Sequence, residues 1–253
     1  MNSLPVRVGI VVPTLGTRPD WLADAVASVE RQGDDVDLVI VAPPEVVPEI
    51  REQLPGRRVL GEAQRGIVPA IETGWGALEG CDVVSWLGDD DQLTPSSVRT
   101  ALHFLTSHQR AVMVYGDYET VDGSGRRIVT VRPGRWAPLW LRIGQNFIAQ
   151  PGCLYMRKAI ARKGGLSRNS KLAFDVELHI NLARNAVYCP FALAKVRVHD
   201  SRLTTAERDA SLAEFHDAVW GRRQHPFVMH LLARCQPVWQ LGGRFYYRFR
   251  RSY

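Results

Sequence analysis

Two hydrophobic periods alternate over the first 115 residues. Residues 6–15 (VRVGIVVPTL) are a near-continuous β-branched run broken at Pro13, which predicts a strand covered on both faces of a parallel sheet. A helix is expected next, capped by Asp20 and carrying Leu22, Val26 and Val29 at helical spacing until Gly33 stops it. Residues 36–42 (VDLVIVA) predict a second buried strand that breaks at Pro43 and Pro44. A short helix over 45–54, a third strand over 57–62 and a further helix over 68–80 follow. Residues 81–88 (CDVVSWLG) predict a fourth strand, which runs straight into Asp89, Asp90 and Asp91. This order predicts an α/β fold: a doubly wound, mostly parallel sheet with helices on both faces and right-handed crossovers.

Past residue 115 the pattern loosens. Residues 114–133 predict a hairpin with its turn at Asp122, Gly123, Ser124 and Gly125. An aromatic stretch rich in Gly and Pro runs to about 165, then a helix is expected over 174–184, a strand over 189–198 and a helix over 204–221. There is no internal repeat and no low-complexity linker, so one two-part domain is expected over 1–217, with halves at about 1–115 and 116–217. Residues 218–253 stand apart in charge: seven arginines, no acid and eight aromatics, against a net of about −1 for everything before them. Such a tail predicts contact with an anionic membrane surface, while the near-neutral body argues against a nucleic-acid footprint.

The remaining composition mainly excludes. With 45% hydrophobic and 23% charged residues the 253-residue chain is globular in composition. Its apolar runs are interrupted well before the roughly 18 residues of a spanning helix. The first residues lack the basic start and cleavage site of a secretory signal, which predicts a cytoplasmic protein, peripheral on the inner face of the plasma membrane if the tail binds there. Cys81, Cys153, Cys189 and Cys235 lie at least 36 residues apart and read as free thiols.

Ligands of doubly wound sheets bind beyond the carboxyl ends of the strands, where the three aspartates fall. Three adjacent carboxylates repel one another unless water or a cation compensates them, and Mg2+ or Mn2+ with phosphate oxygens is a natural partner. A solvated acidic turn before a helix start at Thr94-Pro95 is the plainer alternative.

Three segments in this order, VVPTLGTRPDWLADAVASV, RGIVPAIETG and WLGDDDQLTP, resemble the donor half of a family-2 glycosyltransferase with the GT-A fold. The second half adds LAFDVELHINLAR, similar to the acceptor-side motif of that family, preceded by QNFIAQPGCLYMRKAIARKGGL and followed by VRVHDSRLTT. The likeness spans about residues 6–205. It implies Asp90 as the metal ligand with His199 in the matching later region, and Asp89 toward the donor's ribose and phosphate with Asp91 as a further donor-side candidate; which two of the three carboxylates face donor and metal is left open by the likeness. Pro13, Thr14 and Leu15 at the end of the first strand, with Arg65 and Gly66, are implied as further donor contacts. Asp175 maps onto the catalytic base, with Phe174 in place of the usual first acid. Gly88 occupies a position that is often acidic in the family, and Ala42 and Pro43 replace a run whose aspartate reads uracil.

The implied activity is inverting, metal-dependent transfer of a sugar from a nucleoside diphosphate sugar, of the UDP or dTDP type, to a hydroxyl of a cell-surface glycan or lipid-linked acceptor. The alternatives are a nucleotidyltransferase of similar fold, or a non-catalytic basic scaffold bound to membrane or nucleic acid. Trp75 and Trp86 read as core. Trp136, Trp140 and Phe147 are open between packing and an apolar wall for the acceptor.

Overall fold

The computed structural model describes residues 6–142, 144–199 and 208–221. The strands are β1 (Val8–Pro13), β2 (Val36–Ala42), β3 (Val59–Gly61), β4 (Val83–Trp86), β5 (Gln92–Leu93), β6 (Met113–Val121), β7 (Arg127–Val131), β8 (Leu154–Met156) and β9 (Ala186–Arg197). Between them lie α1 (Pro19–Glu30), α2 (Val47–Gln53), α3 (Ile67–Ala77), α4 (Ser97–Ser107), α5 (Ala137–Arg142), α6 (Arg157–Arg162) and α7 (Phe174–Leu182), and α8 (Arg208–His216) follows the last strand. The nine strands make one sheet in the order β3-β2-β1-β4-β8-β6-β9-β5, with β7 beside β6. β3, β2, β1 and β4 are parallel, β8 is antiparallel to both its neighbours, and β6 and β9 are parallel again.

The largely apolar runs of β1, β2 and β4, interrupted at Asp37 and Ser85, follow from burial on both sides. Val8, Ile10, Val12, Ile40, Ala42, Val83 and Leu87 face the layer holding α1, α2 and α4. Val11, Val39, Val41, Val84 and Trp86 face the layer holding α3, α5, α6 and α7. Alternate side chains of a strand point to opposite faces, so a strand between two helical layers cannot carry a polar alternation. The helix α3 lies so close to β1 that a Cβ on Gly74 would stand 2.5 Å from Val11 Cγ2, which restricts residue 74 to glycine. The carbonyls at the end of α3 are satisfied from a distance: the Arg157 guanidinium donates to Trp75 O, Leu78 O and Cys81 O at 3.0, 2.5 and 2.7 Å.

Several sequence expectations are corrected in detail. α1 begins at Pro19, and no side chain caps it. Proline presets the helical φ at the first position, so Asp20 lies inside the first turn, where its charge favours the dipole. β9 starts three residues earlier than the pattern suggests, because Ala186 to Cys189 pair with Met113 to Gly116 of β6. The hairpin turn is as expected: Asp122 Oδ1 accepts from the amides of Ser124 and Arg126, both at 3.0 Å. These bonds, with the Ser124 hydroxyl first among them, hold the Asp122 carboxyl down to about 2. Of the helix expected over 204–221, α8 and the turn Asp217–Gly221 are described. Residues 222–253, including Cys235 and the arginines and aromatics of the tail, lie outside the described residues. Cys81, Cys153 and Cys189 are buried free thiols. Among the described residues no helix is long and apolar enough to cross a membrane.

Candidate active site

The site forms where β1, β4 and β9 end. Thr14 follows β1, and its amide donates to Val41 O at 2.9 Å, which fixes the residue against β2. Its hydroxyl donates to Asp89 Oδ2 at 2.6 Å and accepts from the Gly16 amide at 3.0 Å. Asp90 turns toward the residues after β9, where His199 Nε2 lies 2.9 Å from Asp90 Oδ2. Arg18 reaches both carboxylates, with Nη1 3.4 Å from Asp89 Oδ1 and 3.8 Å from Asp90 Oδ2. Burial pushes the Asp89 carboxyl above its ordinary value; the Thr14 hydroxyl opposes this, the Asp90 charge adds to it, and Arg18 and His199 oppose it. A carboxylate pair held partly out of water in this way favours an added cation.

Asp91 has a different place from its neighbours. It is 4% exposed, and its Oδ1 accepts from the Arg197 amide at 2.9 Å, so it locks the loop to the end of β9. Asp91 thus attaches the loop to β9, while Asp89 and Asp90 are the carboxylates that Thr14, Arg18 and His199 gather. Arg197 completes the lock: Nε donates to Asp90 O at 3.1 Å and Nη1 to Gly123 O at 2.8 Å. Gly88 is also explained. A Cβ there would lie 2.7 Å from Asp90 Oδ1, so any side chain at 88 requires the carboxylate that His199 holds to shift.

Trp21 on α1 stands behind the cluster, its ring 4.9 Å from the His199 ring, with the Arg197 guanidinium 4.8 Å and that of Arg18 5.5 Å from its centroid. Sequence reading missed Arg18, Trp21 and Arg197. The available signal was an arginine at the end of a largely apolar strand, at 197, and one immediately before the first helix, at 18.

Asp175 lies on the first turn of α7, where its Oδ1 accepts from the Val176 amide at 2.8 Å. Phe174 beside it packs on Trp86, centroids 5.6 Å apart, so the missing first acid is replaced by an aromatic that closes the core under the helix. Trp86 is also stacked on Tyr155 at 5.5 Å and lies edge-on to Trp75 at 5.9 Å. It is the last residue of β4, so one aromatic group joins the helix of Asp175 to the strand that carries the aspartates. Burial raises the Cys153 thiol and the Tyr155 hydroxyl, and the Asp175 charge adds to both. Tyr155 Oη is 2.8 Å from Nε2 of the fully buried His179. Burial holds that imidazole down to about 3, and its Nδ1 has no partner among the described residues.

The other sequence candidates are more dispersed. Pro13 is buried at the end of β1, and Leu15 is exposed. Gly66 precedes α3 at φ 128°, a conformation that favours glycine. Arg65 pairs with Glu45 across the loops after β3 and β2 instead of joining the aspartates. Among the described residues, no three His, Cys, Asp or Glu side chains converge as a self-sufficient metal cage. Asp90 and His199 do converge, and two protein ligands suit Mg2+ or Mn2+ when phosphate oxygens and water complete the shell.

The model for glycosyl transferase family 2 matches residues 9–164, more than half of the chain. The chain belongs to glycosyltransferase family 2. The match runs from β1 through the three aspartates to Gly164 after α6; Asp175, Arg197 and His199 lie beyond it. No curated protein sequence matches the chain. Among solved structures, residues 1–349 of S. aureus TarS in complex with UDP align at 16% identity and a TM-score of 0.57, over 92% of this chain and 78% of that one. The complex of the same TarS fragment with UDP-GlcNAc aligns at 15% identity with the same score and coverage. A further TarS structure aligns at 13% identity and a TM-score of 0.54, over 87% of this glycosyltransferase and 44% of that chain. At such identities the likeness establishes the fold, and the fold is GT-A.

Proposed function

We propose that this glycosyltransferase moves a sugar from a nucleoside diphosphate donor to an acceptor hydroxyl with inversion, aided by Mg2+ or Mn2+. The observation that carries this reading is the meeting of Asp90 and His199 at 2.9 Å beside the Thr14–Asp89 hydrogen bond, beyond the carboxyl ends of the parallel strands. The UDP and UDP-GlcNAc named in the TarS complexes are donor-type ligands and support the same substrate class. Asp90 and His199 would hold the cation, which supplies Lewis-acid stabilisation to the departing diphosphate. Arg18, already beside both carboxylates, adds a fixed positive charge on the leaving-group side. Asp89, oriented by Thr14, faces the ribose and phosphates.

Asp175 acts from the other side of Trp86. Its carboxylate takes the proton of the acceptor hydroxyl as that oxygen bonds to the anomeric carbon. The bond from that carbon to the diphosphate oxygen breaks, and its electron pair leaves with the nucleoside diphosphate. One base and one in-line displacement invert the anomeric centre. The base of the nucleotide is read without a side-chain acceptor at Ala42 or Pro43, both buried; Glu45 and Arg65, paired to each other, and Glu62 are charged groups on the adjoining loops. UDP and dTDP sugars are therefore both donor candidates, and a glycan or lipid-linked sugar is the acceptor class.

The test is release of nucleoside diphosphate from a panel of nucleotide sugars with Mn2+, Mg2+ or chelator. Metal-dependent release from at least one UDP or dTDP sugar is expected, with an inverted anomeric product by NMR once an acceptor is supplied. Full activity in chelator, or a retained anomeric configuration, refutes the mechanism.

A further inference from the structure

The charge of this chain is divided more sharply than its total suggests. Residues 1–122 carry nine basic and nineteen acidic side chains, whereas residues 123–174 carry eleven Lys and Arg with no Asp or Glu at all. At the centre of the basic stretch is α5, whose two faces are both apolar. Ala137 and Leu141 are fully buried in the core shared with α7. Trp136, Leu139 and Trp140, spaced i, i+3 and i+4, are 58%, 55% and 37% exposed on the outside. The turn before them is pinned from behind, where Tyr115 Oη donates to Gly134 O at 2.9 Å. The outward apolar face is thus presented on a fixed support. Arg135 lies over the Trp136 ring at 5.0 Å, and Arg142 ends the helix. Arg135 has no acidic partner within ion-pair distance among the described residues.

We propose that α5 is a membrane-docking element, with Trp136, Leu139 and Trp140 entering the headgroup layer of an anionic bilayer and Arg135 meeting its phosphates. Aromatic rings favour the headgroup depth, and arginines beside them add attraction to anionic lipid. Leu139 decides against a hydrated polyanion or a sugar, since an exposed aliphatic side chain gains nothing from either and gains from acyl chains. The placement has a use. α5 packs on α7, so a bilayer touching α5 brings a membrane-anchored acceptor to the helix of Asp175. The surface is separate from the donor chemistry and does not depend on it.

The test uses the full-length protein and two kinds of vesicle, pure phosphatidylcholine and phosphatidylcholine mixed with phosphatidylglycerol, at low ionic strength. Co-sedimentation with the mixed vesicles alone is expected. The combined Trp136→Ser, Leu139→Ser and Trp140→Ser variant should lose about tenfold or more in partitioning, with donor hydrolysis and melting temperature unchanged. Brominated lipids should quench wild-type emission, and Trp136→Phe with Trp140→Phe, which keeps the apolar face, should remove most of that quenching. The proposal is overturned by equal binding to neutral vesicles, by no binding, or by a triple variant that partitions like the wild type. A triple variant that still binds vesicles but loses affinity for a soluble acceptor glycan overturns it in favour of a sugar platform.

Discussion

Around Asp89 and Asp90 the carboxylates are held by polar groups far away in sequence: Thr14, Arg18, Arg197 and His199 all close on one loop. The helix of Asp175 instead rests on rings, with Phe174, Trp86 and Tyr155 packed beneath α7. The first region is a charge held in place by directional bonds in a partly dry setting; the second is a charge carried on a packed apolar base. Under the proposed roles, a site that takes a cation and a diphosphate needs fixed donors and acceptors, and one that meets a variable acceptor needs a rigid support. Trp86 belongs to both, since it ends the strand of the aspartates and bears the weight of α7.

The comparison can be broken most sharply at Asp90. Asp90→Asn is expected to remove nearly all transfer, roughly a thousandfold or more in line with the loss of a metal or oxyanion-type contact, and to abolish metal-dependent nucleotide binding by calorimetry. Unchanged metal-dependent binding would move the cation elsewhere. Asp175→Asn addresses the other region: turnover should fall at least about a hundredfold, the usual scale of general-base removal, with donor affinity retained. Parallel loss of donor affinity would make the two regions one unit.

The aromatic base is probed by acid. His179 is neutral in the folded state, with its titration held down to about 3 from an ordinary value of 6.5, while the unfolded chain takes up a proton near 6.5. Stability from this residue is therefore present above pH 6.5 and is lost as pH falls below it. By pH 5 the loss is about 2 kcal/mol. Urea titrations of wild type and His179→Gln at pH 7 and pH 5 should show a steeper acid loss in the wild type; equal slopes would mean the imidazole is solvated. The smallest effect concerns the nucleotide base. UDP and dTDP should compete within about tenfold, roughly 1.4 kcal/mol, because Ala42 and Pro43 offer no side-chain acceptor; a hundredfold preference would identify a reader such as Glu45.

The donor-side fold was legible because a doubly covered strand leaves a plain mark: β1, β2 and β4 are largely apolar on both faces, with Asp37 and Ser85 as the polar positions. The aspartates were legible from their place at the end of such a strand, and the hairpin from its Asp122 turn. What escaped has a common physical cause. Arg18 and Arg197 act through contacts made across 71 to 107 residues of chain, which no local period records. The division of labour among Asp89, Asp90 and Asp91 depends on one backbone amide of β9. β5 and β8 are two and three residues long, too short for a period of two to declare itself. α5 was hidden by its double apolar face, which reads as irregular when one face is assumed to be polar.

Gly88 has a consequence for how this loop can change over generations. With His199 holding the Asp90 carboxylate 2.7 Å from where a β-carbon at 88 would begin, residues 88 and 90 are not independent sites. A side chain at 88 requires the Asp90 carboxylate to give way, and Asp90 can turn only by lengthening its contact with the His199 imidazole. The two positions are coupled through one carboxylate, so a substitution at 88 is felt first at the Asp90–His199 pair.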